Sequence, residues 1–336
     1  MRLAERPPSS RLPVKEFRCE STSACTDGDV MKILLQTTIP TVEDDWSIAR
    51  FSSLAALLRD ARDESGNALY EVTARDREPP GKPDSVLSTI DGSDFDELWL
   101  FAVDTGDGLT EEDCAAISRF RKNGGGLLVT RDHMDLGSSV CTLGGVGKAH
   151  YFHSKQPDPD VTRRKRDDPY TTDIDWPNFH SGANGDFQEI EVVGAAHPVL
   201  ANELSPTGSI RSLPSHPHEG DIGAPKGEGA RVIVKGKSQA TGVDFNISVA
   251  FEPGEHGGAA IAESTFHHFA DYNWDPSSGC PSFVSEKPGD GLKRVPEAMA
   301  DTQRYALNIA AWLSGASRAE QKTRHETALT GAIQAQ

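Results

Sequence analysis

Apolar residues recur along this chain with two different spacings, and the alternation between them organises residues 31 to 131. The run Met31-Lys-Ile-Leu-Leu-Gln begins abruptly after a polar stretch and predicts a buried strand over Lys32 to Thr37. Positions Trp46, Phe51, Leu54, Leu57 and Leu58 fall near one face of a helix predicted over Asp44 to Asp63. Leu69 to Thr73 reads as a second strand. Glu97 to Val103 is an apolar run suited to a strand covered on both faces. Thr110-Glu-Glu-Asp starts a helix: the hydroxyl caps it and the acids sit at its positive end. That helix runs to Asn123 and stops at Gly124-Gly-Gly126, after which Leu127 to Arg131 forms another strand. Strands alternating with helices of this length imply βαβ units around a parallel sheet with right-handed crossovers.

Beyond Gly137 the pattern loosens. Residues 144 to 188 are rich in Gly, Pro, Asp and His, which predicts a long loop-rich insertion over one edge of the sheet. Strands resume at Glu189 to Val193, Arg231 to Val234, Phe245 to Phe251 and Ala259 to Glu263, the later ones as antiparallel extensions. Pro296 to Leu313 has Pro at a helix start and Met299, Tyr305, Ile309 and Trp312 at helical spacing, with a stop at Gly315. The expected organisation is a disordered extension over residues 1–30, one α/β domain over 31–315 and a frayed polar tail over 316–336.

Charge narrows the partners. A formal net charge of -17 repels phosphate backbones and anionic lipid, which excludes nucleic acid and membrane surfaces and leaves a small molecule as the expected ligand. The short basic run Arg163 to Arg166 is followed at once by Asp167 and Asp168 and reads as a solvated loop. No apolar run reaches the roughly 18 residues of a membrane span, and the first residues lack the apolar centre of a signal peptide, so a cytoplasmic location is expected. The five cysteines are widely spaced and form no CxxC pair, as expected of free thiols; Cys141 reads as an inert helix thiol. The oligomeric state is not legible.

Ten of the eleven histidines lie between His133 and His268, and they gather in three groups with acids and amides. Thr130-Arg-Asp-His-Met-Asp-Leu-Gly137 directly follows a buried strand. In open α/β sheets ligands sit outside the carboxyl ends of strands, which places Asp132, His133 and Asp135 near a crevice. The run from Glu263 to Asp275 also follows a strand and carries Glu263, Thr265, His267, His268, Asp271 and Asn273. A carboxylate and imidazole brought together bind Zn, Mn or Fe, or act as base and acid; otherwise these residues satisfy backbone groups while Phe266, Phe269 and Trp274 pack. Ser215-His-Pro-His-Glu-Gly-Asp221 places His216 and His218 on one side of an extended segment, with His150, His153 and the loop Asn178 to Asp186 joined loosely to it. His197-Pro-Val-Leu reads as a turn into a packed segment, and His256 and His325 as surface residues.

The succession Met31-Lys-Ile-Leu-Leu, Leu98-Trp-Leu-Phe, Phe120-Arg-Lys-Asn-Gly-Gly-Gly-Leu-Leu-Val-Thr, Ala196-His-Pro-Val-Leu, Gly257-Gly-Ala-Ala-Ile-Ala-Glu-Ser-Thr-Phe-His-His and Asn308-Ile-Ala-Ala-Trp-Leu resembles the class I glutamine amidotransferase-like superfamily, in particular its trehalose-utilisation (ThuA-like) branch. The likeness spans about residues 31 to 315. It implies a flavodoxin-like, mostly parallel sheet with helices on both faces, and a sugar-related or similarly polar small ligand. Where the superfamily's amidotransferases place a nucleophilic cysteine, this chain reads Val129-Thr-Arg-Asp-His-Met, so thioester glutaminase chemistry is not expected. His133 matches a histidine after the Gly-Gly-Gly strand, and His267, His268 and Asp271 resemble a later Gly-His-Asp type loop.

Three functional readings remain open at this level. In the first, the protein binds or converts a small polar metabolite such as a carbohydrate derivative; His133 and His267 act as acid and base, Asp132 and Glu263 orient them or bind ligand hydroxyls, and His216 and His218 line the rim. Asp135, His268, Asp271 and Asn273 complete the expected ligand-binding set. The second reading is a Zn- or Mn-dependent hydrolase whose ligands come from His216, His218, His267 and His268. The third is a non-catalytic sensing or interaction domain. The first two require the segments around positions 132 and 267 to meet at one rim of the sheet.

Overall fold

The computed structural model describes residues 30 to 334, the side chains of 141, 142 and 316 onward excepted. The readings of the N-terminal extension, of Cys141 as a thiol and of His325 lie outside the described residues. Twelve strands and five helices follow in chain order: β1 (Met31–Thr37), α1 (Ser52–Arg59), β2 (Tyr70–Arg75), β3 (Glu97–Phe101), α2 (Glu111–Lys122), β4 (Gly126–Val129), β5 (His150–Tyr151), β6 (Phe187–Glu189), β7 (Glu191–Val192), β8 (Ser212–Pro214), β9 (Asp221–Ile222), β10 (Ala230–Lys237), β11 (Asp244–Phe251), β12 (Ala260–Glu263), α3 (Asp271–Trp274), α4 (Gly291–Arg294) and α5 (Pro296–Gln334).

The main sheet has eight strands in the order β2-β1-β3-β4-β12-β11-β10-β7. The first five are parallel, in the doubly wound order of flavodoxin, and β11, β10 and β7 extend the sheet antiparallel beyond β12. The fold is therefore α/β and flavodoxin-like, with β12 a parallel strand inside the sheet and not one of its antiparallel extensions. Strand parity separates two cores. Ile33, Leu35, Trp99, Phe101 and Leu128 face α1 and α5, whereas Leu34, Leu98, Leu100, Leu127 and Val129 face α2. Strands β3, β4 and β12 are buried along their whole length, which is why they read as continuous apolar runs; edge strand β2 alternates instead.

Two helices differ from expectation at their ends. The first begins at Ser52, after a 3₁₀ turn over Ile48–Phe51, because the Asp271 carboxylate accepts from the Ser52 and Ser53 amides at 3.0 and 2.7 Å and fixes the start there. Helix α5 runs through Gly315 to Gln334. One glycine costs a helix only about 1 kcal/mol, and the residues beyond it are rich in Ala, Glu, Gln, Lys and Arg, which favour helix. At α2 the capping box closes fully: Thr110 Oγ1 accepts from the Asp113 amide while the Asp113 carboxylate accepts from the Thr110 amide. The shorter Asp side chain suffices.

The insertion after η-type turns at 138–149 is irregular and folds over the carboxyl ends of the strands. Strand β5 pairs with β9, Phe179 exchanges backbone hydrogen bonds with Glu219, and the Met134 amide donates to the Pro177 carbonyl at 2.9 Å. Its basic run is anchored, not merely solvated. Arg163 reaches the buried carboxylates of Asp158, at 2.8 Å, and Asp221, while Lys165 and Arg166 stay exposed. No helix among the described residues is long and apolar enough to cross a membrane.

At the opposite end of the sheet Glu97 is fully buried, accepting from Trp99 Nε1 at 2.8 Å and from Ser314 Oγ of α5. Burial pushes its pKa up from 4.5 to about 8. Because the folded value is the raised one, stability held below about pH 4.5 is lost as pH rises toward 8. Urea denaturation across that window is expected to show a decline in the native protein and a flatter profile in Glu97→Gln. An unchanged slope in the variant would assign the effect to another group.

Candidate metal centre

Three segments that are not neighbours in sequence meet at the carboxyl ends of β4 and β12. The turn after β4 supplies Asp132 and His133, the turn after β12 supplies Thr265 and His267, and the loop between β8 and β9 supplies His216 and His218. Ligand atoms of Asp132, His216 and His267 all lie within 4.8 Å of one another, and all three residues are buried. His216 Nε2 stands 3.3 Å from Asp132 Oδ1 and His267 Nε2 stands 3.9 Å from Asp132 Oδ2. The two imidazoles stack with ring centres 3.5 Å apart and planes 12° from parallel, and Trp46 closes the far side edge-on at 4.6 Å from His267.

Amide side chains set the state of those rings. Asn273 Nδ2 donates to Asn184 Oδ1 at 2.8 Å and to the Ser215 carbonyl at 3.0 Å, so its oxygen is the atom that meets His267 Nδ1 at 2.7 Å. An amide oxygen only accepts. His267 therefore carries its proton on Nδ1, and its Nε2 lone pair faces Asp132. The same logic holds for His216, whose Nδ1 donates to Asn184 Oδ1 at 2.9 Å, and its buried Nε2 has no hydrogen-bond partner. Burial lowers the His216 pKa to about 4, with Asp132 opposing only in part; burial, and then the neighbouring His216, place His267 well below its ordinary value. Burial would raise Asp132, but His133 and His216 outweigh it and hold the carboxyl well below 3.8. At neutral pH the centre consists of one carboxylate and two neutral imidazoles, all in the protonation state that metal coordination requires.

His133 forms the open side. Its side chain is 19% exposed against 3 to 5% for Asp132, His216 and His267, and its Nδ1 faces Asp132 Oδ2 at 3.1 Å. His218 lies beside it, with ring centres 5.3 Å apart. Its Nδ1 meets Asn178 Oδ1 at 2.9 Å and its Nε2 meets the half-buried Glu286 carboxylate at 3.1 Å. Burial lowers the His218 pKa, Glu286 and Asp132 opposing.

The other residues singled out in the sequence lie elsewhere. Glu263 does not orient His133 or His267: its carboxylate accepts from Tyr305 Oη and meets His268 Nδ1 at 2.9 Å, because successive residues of the turn point to opposite sides. His268 itself faces inward, with Nε2 at 3.6 Å from Glu219. Asp271 caps α1, as described above, and Asp135 holds the insertion by accepting from the Ser154 amide at 2.9 Å. Asn273 supports a ring instead of lining the opening. His150 is buried beside Phe152 and burial takes its pKa to about 3, as for a core histidine.

Sequence reasoning passed over the supports. Asn178 and Asn184 sat in a loop noted only for its histidine, and Glu286 lies in a Pro- and Ser-containing loop without a distinguishing pattern. Arg131 was also missed. It is fully buried with its guanidinium 4.2 Å above the Phe152 ring, and it donates to the carbonyls of Met134 at 2.6 Å, Asp221 at 3.0 Å and Tyr151. One side chain thus joins the post-β4 turn to the insertion and to β9. An arginine in the expected strand end, beside Asp132, was the available signal.

No family model and no curated protein matches the chain. Similar solved structures include a cytoplasmic protein of Salmonella typhimurium LT2 (10% identity, 83% of this chain and 99% of that one, TM-score 0.44). The glutaminase domain of Trypanosoma brucei CTPS with bound acivicin is similar over 85% of this chain and 97% of its own, at 14% identity and a TM-score of 0.43. The carbohydrate deacetylase Agd3 is similar over 85% of this chain but 32% of its own, at 9% identity and a TM-score of 0.41. Likeness at this level carries no inference about chemistry, and the fold rests on the strand order itself.

The Arg131 clamp makes a stability test available. Arg131→Met removes the guanidinium donor shared by three carbonyls and is expected to destabilise the protein by about 2–4 kcal/mol in urea denaturation, mainly through acceptors that lose it. A loss below about 0.5 kcal/mol, the range of ordinary surface substitutions, would show that the three segments are held by other means.

Proposed function

We propose that this protein is a divalent-metal-dependent hydrolase acting on a small polar substrate, with Asp132, His216 and His267 as the metal ligands. The observation that carries this reading is that two buried Nε2 lone pairs, each fixed by an amide oxygen behind the ring, converge on an ionised carboxylate. Acceptors facing acceptors call for a cation between them. A mixed set of two imidazoles and one carboxylate suits Zn or Mn, and Asp132, His216 Nε2 and His267 Nε2 would hold such an ion. When bound, such an ion supplies Lewis acidity and an activated water.

The chain's own groups supply the rest. His133 Nδ1 faces Asp132 Oδ2 at 3.1 Å, so that Nε2 at the open side is left to exchange a proton with a leaving group. Glu286 and His218 form a hydrogen-bonded pair at the same mouth, able to receive and donate toward substrate hydroxyls. Trp176 is half-buried against the His153 ring, and the next residue, Pro177, accepts from the amide of Met134, the neighbour of His133, at 2.9 Å. Polar groups beside an aromatic face suit a carbohydrate derivative, and the in-order motifs that resemble the trehalose-utilisation branch support the same substrate class. The cysteine-free turn Val129-Thr-Arg-Asp-His-Met supports hydrolysis without a thioester.

Purification without chelator, followed by elemental analysis, is expected to return about one Zn or Mn per chain. Asp132→Asn, His216→Ala and His267→Ala should each lose the metal and the hydrolysis of a panel of carbohydrate derivatives, whereas His133→Ala should retain the metal and lose turnover. Metal-free protein that neither binds added Zn or Mn nor hydrolyses any member of the panel would sink the reading.

A further inference from the structure

The ligands of the proposed centre sit on irregular chain, so no strand ladder fixes their mutual distances. One residue of the loop between β8 and β9 reaches both the turn after β12 and the insertion. Glu219 is fully buried, and its Oε1 accepts from Ser181 Oγ and from Gln188 Nε2. Its Oε2 accepts from Ser264 Oγ at 2.7 Å and faces His268 Nε2 at 3.6 Å. Its backbone pairs with Phe179, between Asn178 and Ser181.

Each arm ends on a metal-ligand residue. Ser181 has one hydroxyl proton, and the carboxylate is the stronger acceptor for it. With that proton directed at Glu219, the Ser181 oxygen is free to accept the His216 amide at 2.9 Å, which sets the backbone of one ligand. Ser264 precedes Thr265, whose hydroxyl donates to Asp132 Oδ1 at 3.3 Å and accepts from the His267 amide at 3.2 Å. That arm sets the other two.

We infer that Glu219 is a positioning residue that holds the two halves of the Asp132–His216–His267 centre in register through Ser181 and Ser264. The inference rests on the metal-centre reading and adds to it a residue that touches neither ion nor substrate. Its side chain acts by orienting two hydroxyl protons. A neutral amide of the same size keeps one acceptor oxygen, and its NH2 group faces the donors of the other arm and releases that arm.

Isothermal titration of zinc chloride into metal-free full-length protein tests this. Glu219→Gln is expected to weaken zinc binding roughly 10- to 100-fold, the usual cost of losing a group that orients metal ligands. Ser181→Ala and Ser264→Ala should each weaken it by a smaller factor, and of the two doubles with Glu219→Gln the one on the released arm should cost little more, because both changes then act on that arm. Zinc affinity in Glu219→Gln equal to that of the native protein would overturn the role, as would fully additive losses in both double variants, which general destabilisation produces. If Glu219→Gln does not fold, Ser181→Ala and Ser264→Ala carry the test singly, and native affinity in both would overturn it. Native protein that binds no zinc removes the metal-centre reading and this role together, whereas native binding with an unaffected Glu219→Gln removes this role alone.

Discussion

The direction of the hydrogen bond between Asn273 and Asn184 decides the chemistry of the whole centre. Reversing either amide would turn an acceptor into a donor behind an imidazole, forcing the proton to Nε2 and filling the space in front of Asp132 with hydrogen. The observed orientation is held from several sides at once, since Asn273 Nδ2 is shared between Asn184 and the Ser215 carbonyl. Two rings therefore present lone pairs to the same carboxylate, and they do so without help from the sheet. Buried polar networks of this kind are costly unless every member is satisfied, and here His216 Nε2, which faces the centre, is buried without a hydrogen-bond partner.

The scaffold explains why the centre sits where it does. Parallel strands bring their carboxyl ends to one edge, and β12 is the last parallel strand before the sheet turns antiparallel at β11. Chain leaving β4 and β12 at that border is free to turn back over the edge, whereas the insertion arrives from the antiparallel side. Arg131 and Glu219 then hold loops that the sheet does not, the first by donating to carbonyls and the second by accepting from hydroxyls. The centre depends on both kinds of clamp.

Most of the fold was legible because its signal is local. A strand buried on both faces must be apolar throughout, and β1, β3, β4 and β12 were readable from that alone; the boundary errors at α1 and α5 arose where a distant carboxylate or a tolerated glycine overrode local cues. The site was legible only in part. Asp132, His133 and His267 followed from their place after buried strands, and His216 from alternation in an extended segment. Glu263, His268 and Asp271 were grouped with them because they are near in sequence, but adjacent residues in a tight turn face opposite ways. The roles of Asn184, Asn178 and Glu219 depend on which atom of a side chain meets which partner, and residue identity does not encode that.

Two polar layers lie back to back here, built from the same residue types and carrying opposite protonation states. In the inner layer burial would push His268 down, yet Glu219 and Glu263 outweigh it and hold its pKa up at about 9, so the imidazole is the cation that its two carboxylates need. In the outer layer one carboxylate faces two rings whose pKa values are pushed down, and neither supplies a cation at neutral pH. An ionised carboxylate removed from water costs several kcal/mol unless compensated. Thr265 offers Asp132 a hydrogen bond of 3.3 Å, a long one for a hydroxyl donor, and His133 Nδ1 faces that carboxylate at 3.1 Å from the open side. The inner layer supplies its own cation, and in the proposed metal reading the outer layer receives one from the side of His133. Adjacent histidines in one turn thus divide the labour: His268 supplies its own positive charge to the scaffold, while His267 keeps a lone pair available for one that comes from outside.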